Sequence, residues 1–135
     1  MLFYPGGAKE LQMIHGIGVD IVKVERMRKA VERWGERFLR RVFTGEEIAY
    51  AYGKAEPWPS LSVRFAAKEA FIKAIGSEVP LALTDVEVVN SGSGRPFLRM
   101  RGRAGELLER EAIRSAHLSL SHEREYGVAC VVLER

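Results

Sequence analysis

The sequence predicts an α+β fold in which an antiparallel sheet packs against helices, and three observations lead there. Short apolar stretches turn back on themselves through Ser91-Gly92-Ser93-Gly94 and Glu123-Arg124-Glu125, which makes hairpins. Segments with helical spacing fill the chain between the first strand and those hairpins. A length of 135 residues with 47% hydrophobic composition supports one domain with a real core.

Taken in order, residues 1–12 contain Pro5-Gly6-Gly7 and read as a flexible N-terminal extension. The folded domain is expected over residues 13–135. Residues 14–19 are short and apolar, with glycines at 16 and 18, and read as a strand. Val24, Met27, Val31, Trp34 and Phe38 recur at three and four, marking an amphipathic helix to about Val42 that Gly35 weakens. Thr44 with Glu47 forms a capping box for a second helix to about Tyr52. Pro57-Trp58-Pro59-Ser60 reads as a stop, and Ser60 is a candidate start for a helix over 64–75. Residues 84–90 and 95–101 form a hairpin, and 104–115 a helix with Leu107, Leu108 and Ile113 inward. A final hairpin joins 117–122 to 126–134.

Composition narrows the function. No run approaches the ~20 apolar residues that span a bilayer, and no basic region precedes an apolar leader, so neither a membrane span nor a secretory signal is expected. The single cysteine, Cys130, lies in an apolar run and reads as a small core residue. It makes no intrachain disulfide, which points to a reducing, cytoplasmic setting. Net charge is only +3, but between Lys23 and Arg41 eight Lys or Arg face three Glu. That helix should attract something acidic: nucleic acid, membrane phosphate or an acidic protein.

The segment from Arg64 to Gly76 is the most informative. Ala67, Phe71, Ala74 and Ile75 gather into one apolar stripe, with Glu69 and Lys73 one turn apart on the far side. Charges on a largely apolar helix suggest a site, because burying charge without a partner is costly. The same spacing also describes an ordinary surface pair worth a few tenths of a kcal/mol. Asp20, flanked by Val19 and Ile21, is either the cap of the following helix or a ligand. The Gly16-Ile17-Gly18 run lacks the third glycine of a dinucleotide fingerprint.

His15, His117 and His122 lack metal spacing, which argues against zinc. Ser121 and His122 adjoin on a strand and point to opposite faces, which argues against a serine hydrolase. Two carboxylates suit a hard cation, so Asp20 and Glu69 are candidate magnesium ligands. Arg64, Lys68, Lys73 and Arg95 then supply positive charge for a polyphosphate.

Four blocks carry a family resemblance: Gly16-Ile17-Gly18-Val19-Asp20-Ile21 with Arg26, the run from Phe65 to Gly76, Gly94-Arg95-Pro96, and Leu118-Ser119-Leu120-Ser121-His122-Glu123. In this order, over nearly the whole chain, they resemble the holo-acyl-carrier-protein synthases. These are the single-domain bacterial branch of the phosphopantetheinyl transferases. The resemblance implies transfer of the phosphopantetheine arm of coenzyme A to a serine of acyl carrier protein. It implies Asp20 and Glu69 as magnesium ligands and Lys73 beside the leaving phosphate. The serine proton leaves by way of Glu69 or a water on the metal, and the sequence does not choose. Arg64, Lys68, Lys73, Gly76, Arg95, Pro96 and His122 match positions lining the coenzyme A site. Members of this branch form homotrimers with sites at subunit interfaces. Acyl carrier proteins are acidic, so Arg26 and Arg33, with Arg37 and Arg40, are expected to receive one. Gly76-Ser77-Glu78 departs from the Gly-Thr-Gly of many relatives and puts local coenzyme contacts in question. The rival reading, a nucleic-acid-binding or acidic-protein-binding module without catalysis, uses the basic helix but leaves Asp20 and Glu69 without a role.

Overall fold

The computed structural model describes residues 13–135, and the extension expected over 1–12 lies outside the described residues. The elements are β1 (Ile14–Lys23), α1 (Val24–Val42), α2 (Gly45–Tyr52), α3 (Trp58–Ile75), β2 (Val86–Asn90), β3 (Pro96–Met100), α4 (Gly102–Arg110), β4 (Ser115–His122) and β5 (Tyr126–Glu134). A 3-10 turn over Leu83–Asp85 precedes β2. Two antiparallel sheets form, one in the order β1-β5-β4 and one of β2 with β3. The α+β class is therefore realised, with the antiparallel pairing divided between two sheets.

The differences from the sequence reading have local causes. Strand β1 continues through Asp20 to Lys23, because β5 pairs with it residue by residue as far as Tyr126. Asp20 lies opposite Ala129, and the N-cap of α1 is Lys23, so the capping role for Asp20 is excluded. Helix α3 begins at Trp58, six residues before Arg64. Pro59 sits in its first turn, where a proline sacrifices no helical hydrogen bond, so the supposed stop is a start. Thr44 and Glu47 do make the expected reciprocal capping box. Gly35 adopts φ 69 and kinks α1, and Trp34, expected on the core face, is left 61% exposed.

Helix α3 is the centre of the fold. Nearly every residue from Leu61 to Ile75 is buried; only Phe65, Glu69, Ile72 and Lys73 form a row open to solvent. The expected one-sided stripe is thus too narrow a description. The sheet covers one side of α3, while α1, α2 and β2 close the rest. An all-round apolar helix is the pattern of a central element.

Burying α3 on all sides also buries Lys68 completely. Its ammonium donates to Glu47 Oε1 at 2.8 Å, to Leu83 O at 3.1 Å and to Val86 O. Burial pulls the Lys68 pKa down, and the Glu47 carboxylate opposes it. Glu47 Oε2 accepts from Val88 N at 2.9 Å, so one carboxylate joins α2, α3 and β2. Next to it, Glu87 accepts from Thr44 Oγ1, Arg99 and Arg101.

Burial alone would raise the Glu87 pKa, but the hydrogen bonds from Thr44 and Arg99 and the charges of Arg101 and Arg99 outweigh it and hold the carboxyl below its ordinary value. A depressed folded pKa means that the unfolded chain takes up the proton first as pH falls. The stability from Glu87 is thus present above about pH 4.3 and lost as pH falls through the lower folded value. Glu87→Gln is expected to cost about 1–3 kcal/mol at pH 7 and to flatten the loss of stability between pH 5 and pH 3. Urea unfolding of both proteins across that range is the check; parallel acid curves would remove Glu87 from the acid response.

Candidate active site

Strand β1 and helix α3 cross where neither carries bulk. Gly18 presents its Cα to Ala70 O, and Gly16 presents its own to Ala74 O; a Cβ added to either would lie 1.9 Å from that oxygen. Asp20 is two residues beyond Gly18 on the same face of β1, so it also points toward α3. It meets the open row of α3 at Glu69 and Lys73. Lys73 Nζ donates to Asp20 Oδ1 at 3.0 Å and to Val19 O at 2.9 Å. The ammonium of Lys73 thus bridges to β1, in place of the expected pairing with Glu69 on its own helix.

Glu69 lies beside this pair. Burial raises its pKa above the ordinary carboxylate value, the Asp20 charge raises it further, and Lys73 pulls the other way. The two carboxylates therefore share one site closely enough for their charges to couple. They line a cleft of 370 Å³ with Val22, Arg26, Phe38 and Phe65. Their hard oxygens are the donor type that a small divalent cation takes. Among the described residues, no group of three His, Cys, Asp or Glu gathers, so these two carboxylates stand as a pair.

The other expected residues fall elsewhere. Gly76 caps the C-terminus of α3 with φ 66 and, with Lys73, Ser77 and His15, borders a second opening. Arg64 is 3% exposed, 4.2 Å from the Tyr50 ring centroid, with Nη2 on Asn90 Oδ1 at 2.5 Å. Asn90 Nδ2 reaches Gly94 O at 3.0 Å, which ties Arg64 to the β2–β3 turn where Arg95 and Pro96 stand. His122 is exposed at the end of β4. Lys68 must be withdrawn from the ligand-binding set: its three donors are spent on Glu47, Leu83 O and Val86 O in the core.

On α1, Arg28 is clamped by Glu25 and Glu32, and Arg40 by Glu36. Among the described residues, Arg26, Arg33, Arg37 and Arg41 have no acidic partner. Arg33 stacks on Trp34 at 4.9 Å, and Arg37 and Arg41 flank a 380 Å³ groove floored by Ala30, Trp34 and Phe38.

The profile of the 4'-phosphopantetheinyl transferase superfamily matches residues 16–131. The chain belongs to that superfamily. It is 45% identical over 123 residues to the holo-acyl-carrier-protein synthase of Halothermothrix orenii, covering 90% of this chain and 98% of the relative. The solved synthase from Neisseria meningitidis superposes with a TM-score of 0.84 at 33% identity, covering 91% of this chain and all of that one. The Helicobacter pylori synthase, solved with coenzyme A, superposes at 0.76 with 30% identity, covering 87% and 98%. Membership in this transferase superfamily decides between the enzyme and the non-catalytic binding module, in favour of the enzyme.

Four residues around the candidate groups escaped the sequence reading. The carbonyl of Val19 holds Lys73, but backbone acceptors leave no mark in residue identity. Tyr50 and Asn90 flank Arg64 from distant segments. Trp34 was assigned to the core; the mid-helix Gly35 was the available signal that the helical phase breaks there.

Proposed function

We propose that this transferase moves the 4'-phosphopantetheine arm of coenzyme A to a serine of an acidic acyl carrier protein, with magnesium, in cytoplasmic fatty acid biosynthesis. One observation carries the reading: Asp20, Glu69 and Lys73, from two elements, come together beside a cleft also lined by Arg26, which has no acidic partner among the described residues. Asp20 and Glu69 suit magnesium because both offer carboxylate oxygens and because Asp20 already draws a cation, the Lys73 ammonium. When bound, the ion neutralises charge on a pyrophosphate.

The chain's own groups do the rest. In this reaction the serine Oγ bonds to the phosphorus bearing pantetheine, and the bridging P–O bond breaks, releasing adenosine 3',5'-bisphosphate. Glu69 stands at the cleft where it can accept the serine proton, directly or through a water. Lys73, half exposed and tethered to Asp20, faces the charge that gathers on the leaving phosphate. Gly76, Arg64, Arg95, Pro96 and His122 are assigned to the coenzyme. In one chain Gly76 ends α3, Arg95 and Pro96 stand at the β2–β3 turn, to which the enclosed Arg64 is tied through Asn90, and His122 ends β4. That separation favours sites completed between copies.

The outer face of the first sheet supports such assembly as the proposed homotrimer. Ile17, Val19 and Ile21 are 61%, 53% and 61% exposed in a row, beside Val128, Cys130 and Val132 of β5. A contiguous apolar face of this kind marks an interaction surface.

Asp20→Ala or Glu69→Ala is expected to lower transfer by about a hundredfold or more while unfolding stays cooperative. Mass addition to apo carrier protein measures it, and undiminished addition by both variants overturns the metal assignment. Arg26→Glu is expected to weaken carrier binding about tenfold and to leave coenzyme A affinity unchanged, as read by titration calorimetry. Val19→Lys is expected to give monomers in analytical ultracentrifugation with reduced transfer; an unchanged mass would place the interface elsewhere.

A further inference from the structure

Four contacts in succession lock β1 to α3. His15 Nε2 donates to Ile75 O at 3.0 Å, a polarity fixed by its Nδ1, which accepts from Arg135 Nη2 at 3.1 Å. Gly16 rests on Ala74 O, and Gly18 rests on Ala70 O and Ala74 N. Lys73 Nζ closes the row on Val19 O. Each contact reaches a backbone atom of one element or the other, so the row sets the separation of two backbones. Asp20 is two residues from Gly18, and Glu69 adjoins Ala70.

A Cβ at Gly18 would lie 1.9 Å from Ala70 O and 2.9 Å from Ala74 N. Both are backbone atoms of a helix buried along all but one row, so neither can swing away as a side chain does. Relief requires the strand to move by about 1.5 Å, to ordinary contact distance. Magnesium tolerates little departure from oxygen distances of about 2.0–2.1 Å, so a shift of this size removes one ligand.

We propose that Gly18, aided by Gly16, is a positioning residue that sets the Asp20–Glu69 separation and so how tightly the pair holds a divalent cation. The inference rests on the proposed metal role of that pair.

The test is Mn2+ binding by electron paramagnetic resonance, with coenzyme A present and carrier absent, alongside thermal unfolding and the mass-shift assay. Wild-type binding is read first; its absence removes the metal role and this proposal with it. Given binding, Gly18→Ala is expected to unfold cooperatively at lower temperature, to bind Mn2+ about tenfold more weakly, and to lose kcat with little change in carrier KM. Gly16→Ala should act in the same direction and less. Asp20→Glu lengthens the side chain by about one bond. Alone it should weaken Mn2+ binding, but combined with Gly18→Ala it should recover at least threefold of the lost affinity. A merely structural role predicts additive losses instead. Additivity, or unchanged Mn2+ affinity in Gly18→Ala, overturns the proposal. So does failure of both glycine variants to fold, which would confine the glycines to packing.

Discussion

The close approach of β1 to α3 is the constraint on which the rest of the structure depends. A strand normally stands off a helix by the bulk of the side chains between them. Here glycine at 16 and 18 removes that bulk, and strand Cα atoms sit against helix carbonyls. Two consequences follow from one geometry. The sheet can cover α3 closely enough to bury Ala66, Ala70 and Ala74, side chains too small to fill a wider gap. And a carboxylate on the strand reaches charged groups on the helix, although Asp20 is short.

Covering α3 on all but one row has a cost that the sequence of the helix shows directly. It carries Arg64, Lys68, Glu69 and Lys73, four charges on a central element. The fold divides them. Glu69 and Lys73 take the open row and remain available for chemistry. Arg64 and Lys68 turn to the α2–β2 side and are enclosed. A buried ammonium is tolerable only when its donors are satisfied, and Glu47 with two carbonyls satisfies Lys68. Removing one partner would strand the other, so the Lys68–Glu47 pair specifies how α2 and β2 dock more than it adds net stability. Basic residues in one motif thus have opposite fates, and type alone does not separate an open lysine from a structural one.

The order of elements, both hairpins, the α2 capping box and the Asp20–Glu69–Lys73 grouping were legible from the chain. The first three rest on local periodicity and turn residues, and the grouping of charged residues far apart in the chain rests on the family resemblance. What was not legible depends on distant partners. Lys68 looks like a phosphate contact until Glu47, twenty-one residues earlier, is seen beside it. Asp20 looks like a cap until β5, more than a hundred residues later, extends the strand through it. The run Pro57-Trp58-Pro59-Ser60 misled for a different reason: proline breaks helix interiors and begins helices equally well, and only the tertiary setting tells which.

The kink in α1 connects the site to its surroundings. Gly35, at φ 69, ends the regular phase of the helix, so Trp34 emerges while Phe38 stays half-buried. The groove that opens between them shares Ala30 and Phe38 with the cleft holding Asp20 and Glu69, so the two adjoin. Arginines already neutralised by neighbouring glutamates, Arg28 and Arg40, are not groove residues, whereas Arg37 and Arg41 flank it and Arg26 stands at the cleft. An acidic protein guided by unpaired arginines gains on-rate and orientation from charge, and holding strength from the apolar floor. In the proposed reaction the acceptor is a side chain of a folded protein, and a groove adjoining the cleft is the surface on which such a protein would bring that side chain near Glu69. The residue that most weakens α1 as a helix is therefore also the one that makes α1 usable as a surface.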